Sequence, residues 1–149
     1  MIKIRLFRKG DERKLSYLSR KCIITINSKD ISKKETAVLH DHFTPGRFID
    51  DAQRFEIYVA EYHGKVAGTA TLDEQWIRGV FVNPGLHGKG IGSKLMQKLE
   101  SVAKKKGFRS VSLKSSPFAV NFYVKLGYKK VKDIHNEAGR LTIMKKGLN

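Results

Sequence analysis

The segment "VNPGLHGKGIGSKLM", residues 82–96, restricts the possible folds more than any other part of the chain. It places four glycines within eight positions and then takes the apolar spacing of a helix, with Ile91, Leu95 and Leu99 on one face. Three runs typical of strands come directly before it: "FEIYVAEY", "VAGTATLD" and "WIRGVFVNP". The sequence therefore predicts an antiparallel meander whose third strand passes through a glycine-rich turn into a helix.

A glycine-rich turn that opens a helix is typical of a site for a phosphorylated ligand. The first N–H groups of a helix lack a partner within the helix, and the helix dipole favours negative charge beside them. Gly88, Gly90 and Gly92 keep Cβ atoms away from those amides, and Ser93 adds a hydroxyl. The spacing fits neither G-x-x-x-x-G-K-S/T nor G-x-G-x-x-G. We therefore expect the loop to bind a pyrophosphate group without following either of those two nucleotide-binding motifs.

The rest of the chain predicts one α+β domain over residues 1–149. The N-terminal part predicts a strand at Ile2–Phe7 and then a helix with Asp11 as N-cap and an apolar face of Leu15, Leu18, Cys22 and Ile26. From Ser28 to Asp51 we expect short helices and loops, with "FTPGRF" as a turn. After the glycine segment and its helix, the sequence predicts a strand at Ser110–Lys114, a helix from Ser116 as N-cap to Gly127, and two closing strands, "YKKVKDI" and "RLTIMKK".

The amino-acid composition indicates the compartment in which the protein works and the charge of its partners. The single cysteine excludes an internal disulfide, and the charged start and the absence of long apolar runs predict a cytoplasmic protein without a membrane partner. Thirty Lys and Arg against fourteen Asp and Glu give a net charge of +16. This excess favours anionic partners, although solubility alone is an open alternative.

Two segments together resemble the GNAT N-acetyltransferase superfamily. The glycine segment is similar to its cofactor-binding pattern, Gln/Arg-x-x-Gly-x-Gly/Ala, with Gly90 and Gly92 in place and His87 instead of Gln or Arg. "AVNFYVKLGY", residues 119–128, resembles the family's A-x-x-F-Y-x-x-x-G-F/Y segment. The resemblance implies a mixed, mostly antiparallel sheet of six to seven strands with about four helices. A V-shaped splay would separate strands four and five.

The resemblance also implies an acetyl-CoA site in that splay. The pantetheine arm would lie along strand four, beside a bulge near Gly79 whose N–H faces the thioester carbonyl. The residues expected to contact the cofactor are Val80, Phe81, Val82, His87, Gly88, Lys89, Gly90, Ile91, Gly92, Ser93, Ser116, Asn121 and Tyr123.

Catalytic residues follow from the same resemblance. Tyr123, beside a Phe122 expected to be buried, would be the general acid. Glu74, with Asp73 as the alternative, would be the base, because Trp76 stands where the family often has glutamate. No metal is expected, since "HDH" at residues 40–42 lacks a third ligand at a telling spacing. The implied reaction is acetyl transfer to a primary amine of a small molecule, amino acid or protein, by direct attack in a ternary complex.

Four questions stay open at this point. The basic surface disfavours a polycationic acceptor unless Asp50, Asp51, Asp73 and Glu74 form an acidic mouth. A nucleic-acid-binding protein is a second hypothesis, against which the aromatic residues look buried rather than interleaved with lysines. A non-catalytic CoA sensor is a third, and a homodimer is left open.

Overall fold

The computed structural model describes residues 1–25, 32–137 and 139–149. Within these residues there are seven strands and five α-helices, one helix more than expected. The strands are β1 (Ile2–Leu6), β2 (Glu56–Tyr62), β3 (Lys65–Asp73), β4 (Trp76–Val82), β5 (Ser110–Ser115), β6 (Lys129–Asn136) and β7 (Gly139–Gly147). The helices are α1 (Glu12–Thr25), α2 (Lys33–His42), α3 (Pro45–Arg54), α4 (Ile91–Lys105) and α5 (Val120–Lys125). Short 3-10 turns at Pro84–Leu86 and Pro117–Ala119 precede α4 and α5.

The strands form one mixed sheet in the order β1-β2-β3-β4-β5-β7-β6. Among the described strands β4 and β5 are the parallel neighbours, and the other neighbouring pairs are antiparallel. The predicted α+β fold with a mostly antiparallel sheet is therefore confirmed. The meander β2-β3-β4 leads directly into the glycine segment, as its sequence predicted.

Two apolar clusters cover the two faces of the sheet, because neighbouring residues of a strand point to opposite faces. The first cluster contains Tyr58 and Ala60 of β2 with Leu95 of α4. The second contains Ile57 and Val59 of β2 with Leu15 of α1. The predicted apolar faces of both helices are confirmed for the described residues, and Ile26 lies outside them. Within the described ranges no helix has the length and apolar character needed to span a membrane.

Asp11 and Ser116 occupy the predicted N-cap positions but their side chains do not cap the following amides, and one predicted turn is wrong. The Asp11 carboxylate accepts hydrogen bonds from the Arg8 N–H and the Arg5 guanidinium at 2.8–3.0 Å, because a buried carboxylate binds a cation more strongly than a helix amide. Ser116 precedes a 3-10 turn without a side-chain cap bond. The "FTPGRF" segment starts a helix, since the Thr44 side chain accepts from the Arg47 N–H and Pro45 is the first residue of α3.

Candidate functional site

β4 pairs with β5 only through its own first two residues, within a region that the structure describes completely. The register pairs are Trp76 with Ser112 and Ile77 with Leu113. From Arg78 onward β4 continues along β3, without a register pair to β5. The predicted splay between the fourth and fifth strands is therefore confirmed. One edge of β4 has no neighbouring strand there, so an extended ligand can pair with its backbone.

Gly79 lies at a β-bulge where this splay begins. The register pairs on either side are Thr71 with Arg78 and Thr69 with Phe81, so two residues of β4 oppose a single residue of β3. Gly79 has φ = 57°, in the left-handed region that glycine adopts without a side-chain clash. The predicted bulge is therefore confirmed. Such a bulge turns backbone groups away from the regular ladder.

An aromatic cluster that the sequence analysis missed covers the bulge. A Cβ on Gly79 would lie 3.6 Å from the Phe43 ring and 3.9 Å from the Phe81 ring. The centroid of the Phe43 ring lies 5.0 Å from that of Phe81 and 6.1 Å from that of Phe48. Phe43 and Phe48 belong to "FTPGRF", where Thr44 followed by Pro45 was a readable signal for a helix start. The cluster gives this face of the splay an apolar wall.

The loop after β4 is anchored at its beginning and open at its end. The Asn83 N–H donates to the Ala67 carbonyl at 2.8 Å, and its side-chain oxygen accepts from the Gly85 N–H at 3.0 Å. Residues 87–90 that follow are exposed. The anchored part thus positions an accessible stretch of backbone at the start of α4.

The glycines of this loop have two different roles. Gly88 and Gly90 have φ values of 83° and 87°, and a Cβ on either would meet no described residue within 4 Å. At Gly92 a Cβ would lie 2.9 Å from the Phe122 ring, so the observed packing of α5 against this position depends on glycine. Gly90 provides no side-chain cap for α4. The first amides of α4 thus have no side-chain cap, and the turn before them is open at Gly88 and Gly90, an arrangement that fits a phosphate group.

His87 holds the loop against β4. Its Nε2 lies 3.1 Å from the Val82 carbonyl, which can only accept, so Nε2 is the donor. The same carbonyl accepts from the Cys22 thiol at 3.1 Å, and burial raises the pKa of Cys22 to about 11, which keeps that thiol protonated. A neutral His87 then has only an acceptor at Nδ1. If the His87 ring contacts a phosphate as expected, donation to that phosphate would therefore require the doubly protonated ring.

Tyr123 points inward from α5, and Phe122 is the more exposed of the two. Tyr123 is 6% exposed and Phe122 36%, so the expectation of a buried Phe122 is wrong. Burial raises the pKa of Tyr123 well above the usual range of a phenol. Among the described residues the Tyr123 hydroxyl has no hydrogen-bond partner, and burial is the cause of the raised pKa. Its proton is therefore retained at neutral pH.

The predicted base Glu74 lies in the β3–β4 turn, exposed and with φ = 53°. Asp73 and Trp76 close this turn as a register pair, so Glu74 is at the end of β4 where β5 is still paired. Asp73 forms an ion pair with Arg78 at 2.8 Å. In the described part of the chain no hydrogen bond or ion pair joins either carboxylate to Tyr123.

The carboxylates considered for an acidic mouth are partly neutralised. Asp51 pairs with Arg47 and with Arg54 at 3.1 Å each, as Asp73 does with Arg78. The other two carboxylates of the predicted mouth, Asp50 and Glu74, are exposed. Cationic partners therefore accompany the acids that are best placed to form such a mouth.

The remaining predicted contacts are distributed around the splay. Val80 and Val82 pack with the α4 cluster, and Phe81 packs with the opposite one. Ser116 is half-buried after β5, and Asn121 is exposed on α5. Within residues 1–25, 32–137 and 139–149 no group of three or more His, Cys, Asp or Glu is placed to hold a metal ion.

Solved acetyltransferase structures share this fold. The GCN5-related N-acetyltransferase from Rhodopseudomonas palustris superposes with a TM-score of 0.88 at 20% identity, covering 98% of this chain and 95% of that one. PaiA N-acetyltransferase from Thermoplasma acidophilum, solved with coenzyme A, gives 0.82 at 19% identity over 99% of both chains. YncA from Salmonella typhimurium, solved with its cofactor acetyl-CoA, gives 0.70 at 20% identity over 99% and 94%. At these identities the likeness establishes the fold.

Sequence comparison agrees with the fold. An uncharacterised N-acetyltransferase of Methanocaldococcus jannaschii is 33% identical over 49% of this chain, and the matched part spans 38% of that relative's length. The acetyltransferase (GNAT) domain family matches residues 26–148, which include β2 to β7 and the whole glycine segment. The chain therefore belongs to the GNAT acetyltransferase family.

Proposed function

We propose that this protein transfers the acetyl group of acetyl-CoA to a primary amine by direct attack in a ternary complex. The observation that supports this most is one continuous arrangement along β4. A bulge lies where β4 leaves β5, an unpaired strand edge follows, and the uncapped start of α4 comes at its end. A thioester, its pantetheine arm and a pyrophosphate have the same order in acetyl-CoA.

The cofactor would be held mainly by backbone groups. The amides of residues 87–93 would bind the pyrophosphate, with the exposed Lys89 adding positive charge. The free edge of Val80–Val82 would pair with the pantetheine arm. Ser116, Asn121 and Tyr123 are the remaining proposed contacts, at the other side of the splay. Open space above Gly88 and Gly90 supports this fit.

Bound acetyl-CoA would supply an acetyl group activated as a thioester. A backbone N–H at the Gly79 bulge would donate to the carbonyl oxygen as negative charge develops, a contribution of about 2.7–4 kcal/mol for such donors. Tyr123 would give its proton to the departing thiolate, and its burial keeps that proton in place beforehand. Glu74 stays the proposed base; from the exposed turn it would accept the amine proton through water.

We further propose that the acceptor is not a polycation. The net charge is +16, and Asp51 and Asp73 already have arginine partners. The apolar wall at Phe43 and Phe81 offers no carboxylate to a second ammonium group. A small-molecule amine, an amino acid or a protein amine fits this face better. An amine panel that ranks spermidine first in CoA release would refute this part of the proposal.

The first test is thermal unfolding with and without acetyl-CoA. At a hundredfold excess over its dissociation constant, a ligand adds about 2.7 kcal/mol of stability. For a chain of this length that raises the midpoint by roughly 5–11 °C. We expect Gly90→Glu to abolish the shift, because a carboxylate would occupy the proposed phosphate position.

Gly107→Glu is the matched control for that test. Gly107 has φ = 96° and, like Gly90, no neighbour within 4 Å of a Cβ, but it lies after the C-terminal end of α4. Both variants introduce the same strain and the same charge. An equal loss of the shift in both would show that the loop has no special role. A normal shift without CoA release from any amine would favour the CoA sensor over an enzyme.

A further inference from the structure

A second concave surface lies on the side of β4 that faces away from β5. We name it the α1 groove; it is formed by α1, the β2–β3 turn and the end of β4, and it encloses about 510 Å³. It contains none of the residues 87–93 and none of the predicted catalytic residues. Its lining residues are therefore different from the proposed acetyl-CoA contacts, and it meets the anchored part of the loop after β4 at Asn83.

The α1 groove is strongly basic. Of the nine described residues that line it, four are cations and none is acidic; the cations are Arg13, Lys14, Lys21 and Lys65. All four side chains are exposed, and none takes part in an ion pair with another described residue. Most arginines of β1, α3 and β4, in contrast, have carboxylate partners within 4.0 Å. The groove thus has uncompensated positive charge directed at solvent.

An exposed aromatic ring lies among these cations. Tyr17 is 70% exposed and lines the groove, four residues after Arg13 and four before Lys21, so the three share one face of α1. Leu18 and Val66 give the groove an apolar part. The expectation from sequence that no aromatic residue is interleaved with basic ones is therefore wrong. Arg13, Tyr17 and Lys21 are four residues apart in the sequence, and helix α1 places them together on one basic and aromatic face.

We infer that the α1 groove binds single-stranded nucleic acid. Cations along a groove track a phosphate backbone, and a free tyrosine ring offers a face on which a base stacks. An acidic peptide would satisfy the cations but would leave the Tyr17 ring without a planar partner. A volume of about 510 Å³ lies in the range of small-ligand sites, so the groove fits a short single-stranded segment better than the full width of a duplex. The binding is sequence-tolerant, because stacking and phosphate contacts do not read base edges.

Fluorescence anisotropy with a labelled oligo-dT strand of about twelve nucleotides tests this inference. Tyr17→Ala is expected to weaken binding roughly 5- to 150-fold, and Tyr17→Phe, which keeps the ring, to change it less than about twofold. With four phosphate contacts, the slope of log K against log salt is expected to be about −2.8. Lys14→Glu with Lys21→Glu should reduce the magnitude of that slope by at least about 1.4.

A charge-matched variant separates the groove from the net charge. Lys129→Glu with Lys132→Glu on β6 makes the same change, from +16 to +12, at two exposed lysines outside the groove. Equal weakening by both pairs, or unchanged binding in Tyr17→Ala, would overturn the inference. So would competition by poly-glutamate that is insensitive to Tyr17, which would assign the groove to acidic peptides. The acetyl-CoA shift in Tyr17→Ala should equal that of the parent, so this test is independent of the proposed enzymatic function.

Discussion

Tyr123 and Tyr128 are neighbouring phenols whose hydroxyl groups have different surroundings. Their ring centroids lie 5.7 Å apart. The Tyr128 O–H donates to the Glu100 carboxylate at 2.7 Å, and Lys146 reaches the other oxygen of that carboxylate at 3.0 Å. The Tyr123 hydroxyl has no such partner among the described residues. Both phenols are buried, but the Tyr128 proton is donated to Glu100 whereas the Tyr123 proton is not donated to any described residue.

This difference predicts opposite effects of the same substitution. Tyr123→Phe should lower the rate of CoA release roughly 100-fold or more, the lower end of the range for a general acid, with little change in stability. Tyr128→Phe should destabilise the fold by about 1.5–3 kcal/mol, because a buried hydrogen bond to a charged group is lost, and should leave the rate within a few-fold. Steady-state kinetics and urea unfolding on both variants check this. Loss of rate in Tyr128→Phe alone would reverse the assignment.

At the scale of elements, one ionic network joins β1, the start of α1 and β2. Arg5 donates to the Asp11 carboxylate at 2.8 and 3.0 Å and to Glu61 at 2.9 Å. Burial by itself would raise the pKa of Asp11, but hydrogen bonds from Arg5 and from the Arg8 N–H hold it below its usual value. The Arg5 hydrogen bond likewise lowers the pKa of Glu61. The three elements are thus held by carboxylates that must stay ionised.

The network predicts how stability depends on pH. Both carboxylates have folded pKa values below their unfolded values of about 3.9 and 4.3, so their contribution is complete above those values and is lost as pH falls through the folded ones. In Arg5→Met, Asp11 stays buried without its cation, which should cost about 3 kcal/mol near neutral pH. Protonation relieves that cost, so the difference between parent and variant should narrow towards about pH 3.

Urea unfolding at several pH values, with Arg8→Met as the control, checks this prediction. The Arg8 side chain is 71% exposed and lies 4.0 Å from Glu61, so its removal should change stability by less than about 1 kcal/mol at any pH. A constant difference between parent and Arg5→Met across the pH range would show that the network contributes packing rather than charge.

The sequence predicted those elements whose local signals agree with their tertiary roles. The meander, α4 and its glycine-rich start were readable because strand alternation, glycine punctuation and helical periodicity coincide there. The packing of the Phe43 ring against the Gly79 bulge was not readable from the sequence, because it depends on how α3 returns to the sheet. The Asp11 side chain is occupied by a different and local contact: Arg5 lies six residues earlier, at the end of β1, and the turn before α1 brings its guanidinium onto the Asp11 carboxylate. The helix pattern alone does not show which nearby donor such a carboxylate binds.

At the scale of the molecule, the net charge of +16 is an unfavourable term in folding. Like charges are closer in the folded chain than in the unfolded one, and the compact state is destabilised by their repulsion. The edge strand β6 shows this locally, because Lys129 lies directly opposite Lys145 of β7 in the register. Lysines along an edge strand also discourage pairing with a second sheet, so the repulsion has a compensating use.

Salt should therefore stabilise this protein, and less so when β6 is made less basic. Adding salt shortens the Debye length to about 8 Å at physiological ionic strength and screens the repulsion. Replacing Lys129 and Lys132 with Gln gives a net charge of +14, and with Glu +12, from +16. We expect each step to raise the low-salt unfolding free energy by about 0.5–1 kcal/mol and to flatten its dependence on NaCl. Thermal and urea unfolding across a NaCl series measures both quantities.

If the three proteins respond to salt alike, specific pairs rather than the whole-molecule field set the electrostatic stability. If the unfolding free energy rises only in the Glu variant, the cause is new ion pairs with Lys145 and its neighbours. The Gln variant makes this distinction because it removes the repulsion without adding an attraction.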